Sequence, residues 1–281
     1  TIQASDPVTV SITNGTTVPE GTNSVFTVSL SNLSSVDTSV TFNTSDGSAV
    51  APGDYTAQSN VTVTIPAGQL SVTVPVVTID DAIAGEGNET INGTISAVTG
   101  GNGATIVTPS AIGTISDNEG VPTLSISSPQ TVAEGSPADN IITLSAPSAV
   151  AVTVTVTPLG NGVNPTVAAD LGAQEYSTNG GATFIPVPVG GVITIPPGVT
   201  SVIVRTPTVN DTTGEPAETF GVTLSAPSSG ATIATPSVTN TIQASDPVTV
   251  SITNGTTVPE GTNSVFTVSL SNLSSVDTSV T

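Results

Sequence analysis

The chain has 281 residues, enough for about two domains of ordinary size. Its 21 acidic residues are opposed by a single basic residue, Arg205, which gives a formal net charge of −20. This charge repels nucleic acid and anionic membrane surfaces and attracts cations. Because the chain has no cysteine and no histidine, disulfide bonds and the usual ligand sets of zinc, copper and iron–sulfur sites are excluded.

The composition indicates a folded β protein rather than a disordered acidic segment. Only 8% of the residues are charged and 36% are hydrophobic, and the abundant valine, isoleucine and threonine favour strands. No apolar run reaches the roughly 20 residues that cross a bilayer, so no direct membrane insertion is expected. The sequence has neither an initiator methionine nor a signal peptide, and we therefore expect it to be an internal piece of a longer protein.

Two levels of repetition organise the chain. Residues 241–281 are identical to residues 1–41, and the two copies begin 240 residues apart. Within that period, VPEGTNSVFTVSLS at 18–31 resembles VAEGSPADNIITLS at 132–145, which predicts two related domains per period. We therefore expect these divisions: 1–6 as the end of a preceding repeat or a linker, 7–119 as a first domain, 121–246 as a second, diverged domain, and 247–281 as a partial copy of the first domain.

In chain order, short stretches alternate between apolar and polar residues and are separated by glycine, proline, asparagine and aspartate. These stretches lie at 8–13, 24–31, 60–65, 70–77, 151–158 and 201–206. Alternation of this kind is typical of strands with one buried face, and no stretch has helical spacing. The pattern predicts an all-β fold of antiparallel β-sandwiches.

The acidic residues of the first domain cluster before and after the predicted strands, where hairpin loops would bring them together. Crowded carboxylates repel one another unless a cation lies among them. With oxygen ligands only, the preferred ion is hard, with Ca²⁺ ahead of Mg²⁺ and Mn²⁺. The sequence therefore predicts a calcium site at one end of the first domain.

The order of these acidic motifs resembles that of the Calx-β domain family. The first domain contains Glu20-Gly21, DGSA at 46–49, Asp54-Tyr55, IPAG at 65–68, Asp80-Asp81, Glu86-x-x-Glu89 and Asp117-Asn118-Glu119. The resemblance covers the whole domain and implies tandem immunoglobulin-like antiparallel β-sandwiches that bind Ca²⁺. Carried over position by position, it implies these ligands: Glu20, Asp54, Asp80, Asp81, the carbonyl group of Ile83, Glu86, Glu89, Asp117 and Glu119.

The second domain resembles the same family less closely. Its motifs are Glu134-Gly135, Glu175-Tyr176 in the place of Asp-Tyr, IPPG at 195–198, Asn210-Asp211, Glu215-x-x-Glu218 and a final strand that ends near Asp246. The implied ligands are Glu134, Glu175, Asp211, Glu215, Glu218 and Asp246. Because Asn210 is neutral and Glu175 is longer than aspartate, we expect one ion or weaker binding here.

The leading functional prediction is a structural repeat of a long extracellular filament or cell-surface adhesin stalk, stiffened by calcium at the domain ends. Its expected partners are calcium ions and neighbouring repeats of the same protein, including self-assembly into filaments. The alternative is an adhesive module that contacts carbohydrate or a partner cell surface, and the scarcity of aromatic residues, two Tyr and five Phe, favours the stalk. Enzymatic activity is not expected, because no histidine, cysteine or lysine is present to act as a base or nucleophile.

Overall fold

The structure is a computed structural model that describes residues 7–281, so the predicted terminal piece at 1–6 lies outside the described residues. The chain divides into two compact units, Thr1–Gly120 and Val121–Thr281. The described residues form strands and no helix, which confirms the predicted all-β class. Accordingly, the described part of the chain contains no helix with the length and hydropathy needed to cross a membrane.

Unit 1 is a sandwich of two sheets. Its strands β1 to β9 are, in chain order, Thr9–Thr13, Thr17–Pro19, Ser24–Leu30, Thr38–Asp46, Val61–Ile65, Ser71–Val76, Asn88–Gly100, Thr105–Thr108 and Ser110–Ser116. One sheet has the strand order β6-β3-β1-β8, and the other has the order β2-β9-β7-β4-β5. Most neighbouring strands are antiparallel, but β1 pairs with β8 and β2 pairs with β9 in parallel.

The core of unit 1 lies between these two sheets, because every second residue of a strand points to the same face. Along β3, buried and half-buried residues alternate, so Phe26 and Val28 face the core and Thr27 does not. The ring of Phe26 lies 5.7 Å from that of Phe42 in the other sheet, measured between centroids. The apolar alternation in the sequence therefore marks the inner faces of the sandwich.

Unit 2 repeats the topology of unit 1. Its strands β10 to β20 are, in chain order, Thr123–Ser127, Thr131–Val132, Ala138–Leu144, Val152–Gly160, Glu175–Ser177, Ile185–Pro186, Val192–Ile195, Ser201–Thr206, Glu218–Ser225, Thr232–Thr235 and Ser237–Ile242. One sheet has the order β15-β14-β17-β12-β10-β19, and the other has the order β11-β20-β18-β13-β16. The added hairpin of β14 and β15 extends the first sheet beyond β17.

Residues 247–281, the predicted partial copy, group with unit 2. They contain β21 (Val250–Ile252) and β22 (Val268–Leu270). These strands pair with each other in a separate two-stranded sheet, in the register that joins β1 to β3 in unit 1. The copy therefore keeps its local pairing but does not close a sandwich of its own.

The two cores differ at a central pair of positions. By strand register, Phe26 corresponds to Asn140, and Gly113 corresponds to Asn240. In unit 1 the Phe26 ring uses the space that glycine leaves, since a Cβ atom added to Gly113 would lie 3.0 Å from it. In unit 2 the two asparagines are fully buried, and their side-chain amides exchange hydrogen bonds of 2.9 and 3.0 Å.

Replacement of Asn140 by alanine is expected to destabilise unit 2 by about 1–3 kcal/mol, because the buried Nδ2 group of Asn240 loses its partner. Replacing both asparagines by alanine should cost less than the sum of the two single replacements, since no unpaired side-chain amide remains. Urea unfolding, followed in the transition of unit 2, measures all three variants. Strictly additive costs would mean that the two amides are not coupled.

Candidate metal centre

One end of unit 1 collects acidic side chains from several parts of the chain. Glu20 follows β2, and Asp117 follows β9. Because β2 and β9 are parallel, both strands end on the same side of the sheet. Glu89 lies near the start of β7, which is antiparallel to β9 and therefore begins at that side. The remaining acids at this end come from the β6–β7 loop and the segment after β9: Asp80, Asp81, Glu86 and Glu119.

Glu20 is the central residue of this cluster. Its side chain is buried, with only 6% of its surface exposed. The carboxylate of Glu20 forms one group with Asp117 and Glu119, in which the oxygen atoms lie within 4.8 Å of one another. It forms a second group of the same size with Asp81 and Glu86. The two groups share the carboxylate of Glu20 and together offer oxygen ligands from five acidic residues.

Asp117 holds the surrounding loop in place. Its carboxylate accepts hydrogen bonds from the backbone N–H groups of Gly85 at 2.7 Å, Glu86 at 3.1 Å and Glu119 at 2.9 Å. Burial raises the pKa of Asp117, but these donors together outweigh burial and lower it below its usual value. Asp117 is therefore ionised, and it fixes the backbone that carries Glu86.

The β6–β7 loop is also shaped by its own acids. Asp81 accepts the N–H of Ile83 at 2.7 Å, and Asp80 accepts the side-chain amide of Asn118 at 3.0 Å. Gly21 has φ +72°, and a Cβ atom at this position would lie 2.9 Å from the Cβ atom of Asp80. Only glycine permits the chain after β2 to approach the loop this closely.

Asp54 reaches the cluster from the segment after β4. Its carboxylate accepts the N–H of Val50 at 2.6 Å. Burial, followed by the charge of Asp54, raises the pKa of Glu89 to about 7. Tyr55 points into the core instead, where it is 1% exposed and donates a hydrogen bond of 2.7 Å to Asp46. Asp54 therefore belongs to the acidic cluster, and Tyr55 packs beneath it.

The electrostatics of the cluster favour binding of a cation. Burial is the largest cause that raises the pKa of both Glu20 and Glu86 to about 7, and the charges of neighbouring acids add to it. One carboxylate oxygen in each of Glu20, Glu89 and Glu119 is buried without a hydrogen-bond partner. Buried acceptors of this kind are costly unless something positive reaches them. The donors are all oxygen atoms, which fits a hard cation.

Unit 2 places a smaller acidic cluster at the equivalent end. Asp170, Glu215 and Glu218 have carboxylate oxygens within 4.8 Å of one another. One oxygen of Glu134 accepts the N–H of Asp211 at 3.1 Å, and the other is buried without a partner. Burial, followed by the charge of Asp170, raises the pKa of Glu218 to about 7 and also raises that of Glu215.

Asp170, which the sequence analysis did not select, takes the place of Asp54. Its carboxylate accepts the N–H of Val167 at 2.6 Å, as Asp54 does from Val50. The carbonyl groups of both aspartates also accept a backbone N–H from the residue before the next acidic motif. A weak signal for this match is present in the sequence, since Val-Ala begins both VAPGD at 50–54 and VAAD at 167–170.

Glu175 is not part of the cluster, which corrects the prediction that Glu175-Tyr176 replaces Asp-Tyr. It lies on β14 opposite Arg205 of β17. Val209, whose N–H bonds to Asp170, is four residues beyond Arg205. At about 3.3 Å per residue, Glu175 is therefore roughly 13 Å from Asp170. The Glu175-Tyr176 pair in the added hairpin of β14 and β15 resembles the Asp-Tyr motif in sequence but lies at a different position in the sheet.

The segment after the last strand of unit 2 has also lost a carboxylate. By strand register, Ala244 stands where unit 1 has Asp117, and Asp246 corresponds to Glu119. Among the described residues, Asp246 is not in an acidic group of this size, and its carbonyl group accepts the side-chain amide of Asn272 at 2.9 Å. Unit 2 therefore lacks the residue that organises the loop in unit 1.

Comparison with known proteins gives a family match over most of the chain. The Calx-beta domain profile matches residues 3–119 and 143–248, and a search of curated proteins found no match. Among solved structures, similar chains include CBD12 from CALX1.2 (12% identity, 84% of this chain and 99% of that chain, TM-score 0.38), the apo-form Calx CBD1 domain (19%, 41% and 100%, 0.36) and the calcium binding domain CBD12 of CALX1.1 (12%, 82% and 98%, 0.35).

Without metal ions, the stability of unit 1 is expected to fall as the pH rises from 4.5 to about 7. The folded state retains protons on Glu20, Glu86 and Glu89 across this window, whereas the unfolded chain releases them, so rising pH favours unfolding. The lowered pKa of Asp117 acts only below this window. Thermal melting of metal-free protein at a series of pH values measures the effect. A melting temperature that rises through the window would contradict the raised pKa values of these carboxylates.

Proposed function

We propose that this chain, which belongs to the Calx-beta domain family, binds calcium at the end of each unit and serves as a structural repeat of a long extracellular filament or adhesin stalk. Family membership makes it a tandem calcium-related module. The finer proposal rests mainly on one observation, the buried and unpartnered carboxylate oxygens of Glu20, Glu89 and Glu119 at the acidic end of unit 1.

Calcium fits these clusters better than magnesium does. Calcium accepts six to eight oxygen ligands in flexible geometry, whereas magnesium requires a near-ideal octahedron and keeps several water molecules. The ligand groups of unit 1 come from loops and strand ends of different parts of the chain, and they share Glu20 between them. Such an irregular set of carboxylates favours the larger and less demanding ion.

The two units are proposed to differ in affinity. Asn210 and Ala244 in unit 2 stand where unit 1 has Asp80 and Asp117. Unit 2 therefore offers fewer negative ligands, and its loop lacks the backbone anchor that Asp117 supplies. We expect unit 1 to bind more ions, or to bind them more tightly, than unit 2.

The loop of the second acidic cluster also contacts the partial copy that follows it. Gly214 lies between the candidate ligands Asp211 and Glu215. Its N–H donates to the carbonyl of Leu273 at 2.7 Å, and its carbonyl accepts the N–H of Ser275 at 3.1 Å. A cation that orders this loop would therefore also stiffen its contact with the next copy.

A stalk is the role that these properties support. Identical copies add length to a protein without adding new chemistry. The chain has no cysteine for disulfides and no lysine for isopeptide crosslinks, so bound cations are the remaining means of bracing it. Extracellular calcium modules work at about 10⁻⁴–10⁻³ M, which suits acidic sites at a cell surface.

Calcium is expected to raise the melting temperature of both units, and that of unit 1 more. An ion that binds only the folded state stabilises it by about 2.7 kcal/mol at 100 times its Kd. Replacing Asp80 and Asp81 by alanine should remove this gain from unit 1 and leave it in unit 2, because the two clusters are separate. Calorimetric melting in millimolar calcium and in excess chelator checks this, and identical melting in both would refute calcium binding.

A matched pair of variants tests the ligands of unit 2. Asp170→Asn and Glu175→Gln each remove one negative charge, but only Asp170 belongs to the cluster. Asp170→Asn should weaken calcium binding by about tenfold or more, and Glu175→Gln should change it little. Isothermal titration of the whole chain measures both. Equal weakening would mean that net charge, rather than ligand position, sets the affinity.

Calcium is also expected to slow the amide exchange of Ser275, whose N–H bonds to Gly214. Asn272→Ala should reduce this protection, because Asn272 donates side-chain hydrogen bonds to the carbonyl groups of Thr212 at 3.2 Å and Asp246 at 2.9 Å. The matched control is Asn254→Ala, at an exposed asparagine of the same copy. Hydrogen–deuterium exchange is the measurement. Equal protection of Ser275 in both variants would show that the side chain of Asn272 does not couple the calcium-binding loop to the following copy.

A further inference from the structure

The hairpin of β14 and β15 is an addition to unit 2 that lies outside its acidic cluster. It covers β17, which pairs with β12 as β6 pairs with β3 in unit 1. In the described part of unit 1, β6 is the last strand of its sheet, whereas β17 lies between β12 and β14. The hairpin therefore turns an edge strand of the sandwich into an inner strand.

The strand under the hairpin carries Arg205, the only basic residue of the chain. An endoprotease that cuts after lysine or arginine therefore has one peptide bond to attack in 281 residues, the bond between Arg205 and Thr206. By strand register, Arg205 corresponds to Pro75 of β6, which such an enzyme does not recognise. The hairpin is thus added in the unit, and on the strand, that contains the cleavable bond.

The side chain of Arg205 is held on the sheet by two different contacts. Its Nε and Nη2 groups donate hydrogen bonds of 2.8 Å each to the two carboxylate oxygens of Asp139. Its guanidinium carbon lies 3.8 Å from the ring centroid of Phe184, which belongs to the connection between β14 and β15. A guanidinium group engaged in this way is not free to enter the specificity pocket of a protease.

The backbone at the cleavable bond is covered on both sides. Arg205 pairs with Asp139 of β12 on one side and with Glu175 of β14 on the other. Thr206 is fully buried, and its hydroxyl accepts a hydrogen bond of 2.9 Å from the side-chain amide of Gln174. A protease that binds its substrate as an added extended strand needs a free strand edge. The bond can therefore be cut only after a neighbouring strand separates from β17.

We propose that the bond between Arg205 and Thr206 is a protected cleavage site for endoproteases specific for basic residues, and that the hairpin of β14 and β15 keeps it closed. When the hairpin separates from β17, such a protease adds water across this bond, which leaves a carboxylate on Arg205 and an amine on Thr206. This role goes beyond that of a stalk repeat and does not depend on the calcium binding proposed above.

The hairpin is the neighbour of β17 that separates first. It pairs with β17 over three residues, and its own two strands pair over two, whereas β12 pairs with β17 over six. Short pairings at the side of a sheet open locally more often than long ones. The contact between Phe184 and Arg205 joins the hairpin to β17. It therefore acts on the opening step that decides whether cleavage occurs.

The test is digestion of the whole folded chain by trypsin in millimolar calcium, with the fragments 1–205 and 206–281 followed by intact mass. Phe184→Ala should raise the cleavage rate about two- to fivefold, because cleavage follows the population of the open state. The matched control is Leu159→Ala, at a residue of the other sheet that is 69% exposed, and it should leave the rate unchanged. No increase with Phe184→Ala, or an equal increase with both variants, would overturn the proposal.

A second variant compares a covered and an uncovered strand within one molecule. Thr73 is exposed on β6, the equivalent strand that has no hairpin beside it. Thr73→Arg should be cut after position 73 at least about tenfold faster than after Arg205. Adding Phe184→Ala to this variant should speed only the cut after Arg205, which separates opening of the hairpin from unfolding of unit 1. Equal rates at the two positions in Thr73→Arg would overturn the protective role of the hairpin.

Discussion

Repulsion between buried carboxylates at the end of each sandwich is the constraint on which the rest of the structure depends. The single cationic side chain cannot relieve it, because Arg205 is engaged with Asp139 at 2.8 Å and stacks 3.8 Å from the ring centroid of Phe184. Neutralisation must come from protons or from an external cation. Protons are one means of neutralisation, since the pKa values of Glu20, Glu86 and Glu89 are raised to about 7 when no metal ion is bound.

The backbone imposes this crowding. The parallel pairing of β2 with β9 brings Glu20 to Asp117. The hydrogen bonds that Asp117 accepts from the N–H groups of Gly85 and Glu86 hold the loop that carries further acids. Unit 2 keeps the same pairing but has alanine where Asp117 stands. The number of ligands can therefore change between units while the topology stays constant, because hydrogen bonds between strands set the topology, whereas the side chains at the strand ends set the charge and the shape of the loops.

Much of the fold could be predicted from the sequence, since alternation along strands such as β3 reports directly which side chains are buried. The ligands were harder to predict where strand register decides them. Asp170 was missed because Glu175-Tyr176 in the hairpin of β14 and β15 is more similar in sequence to Asp54-Tyr55. That pair lies beside Arg205 in the sheet, away from the acidic end. Ala244, rather than Asp246, corresponds to Asp117 because Ile242, two residues earlier, pairs with Glu218 as Ile115 pairs with Glu89. Such offsets have no periodic signature in a single sequence.

The divergence of unit 2 also bears on how an array of identical copies folds. Identical neighbouring domains can exchange strands during folding, which is a characteristic failure of repeat proteins. Here the identical segments begin 240 residues apart, with a unit between them whose core differs. The buried Asn140–Asn240 pair would meet a phenylalanine on one side or a glycine on the other if strands of the two units were mixed. Each mismatch leaves either an unpaired amide or a steric overlap, so neighbouring units discriminate against each other. We therefore expect strands of the unit 1 type to pair with their own kind rather than with strands of the unit that separates them.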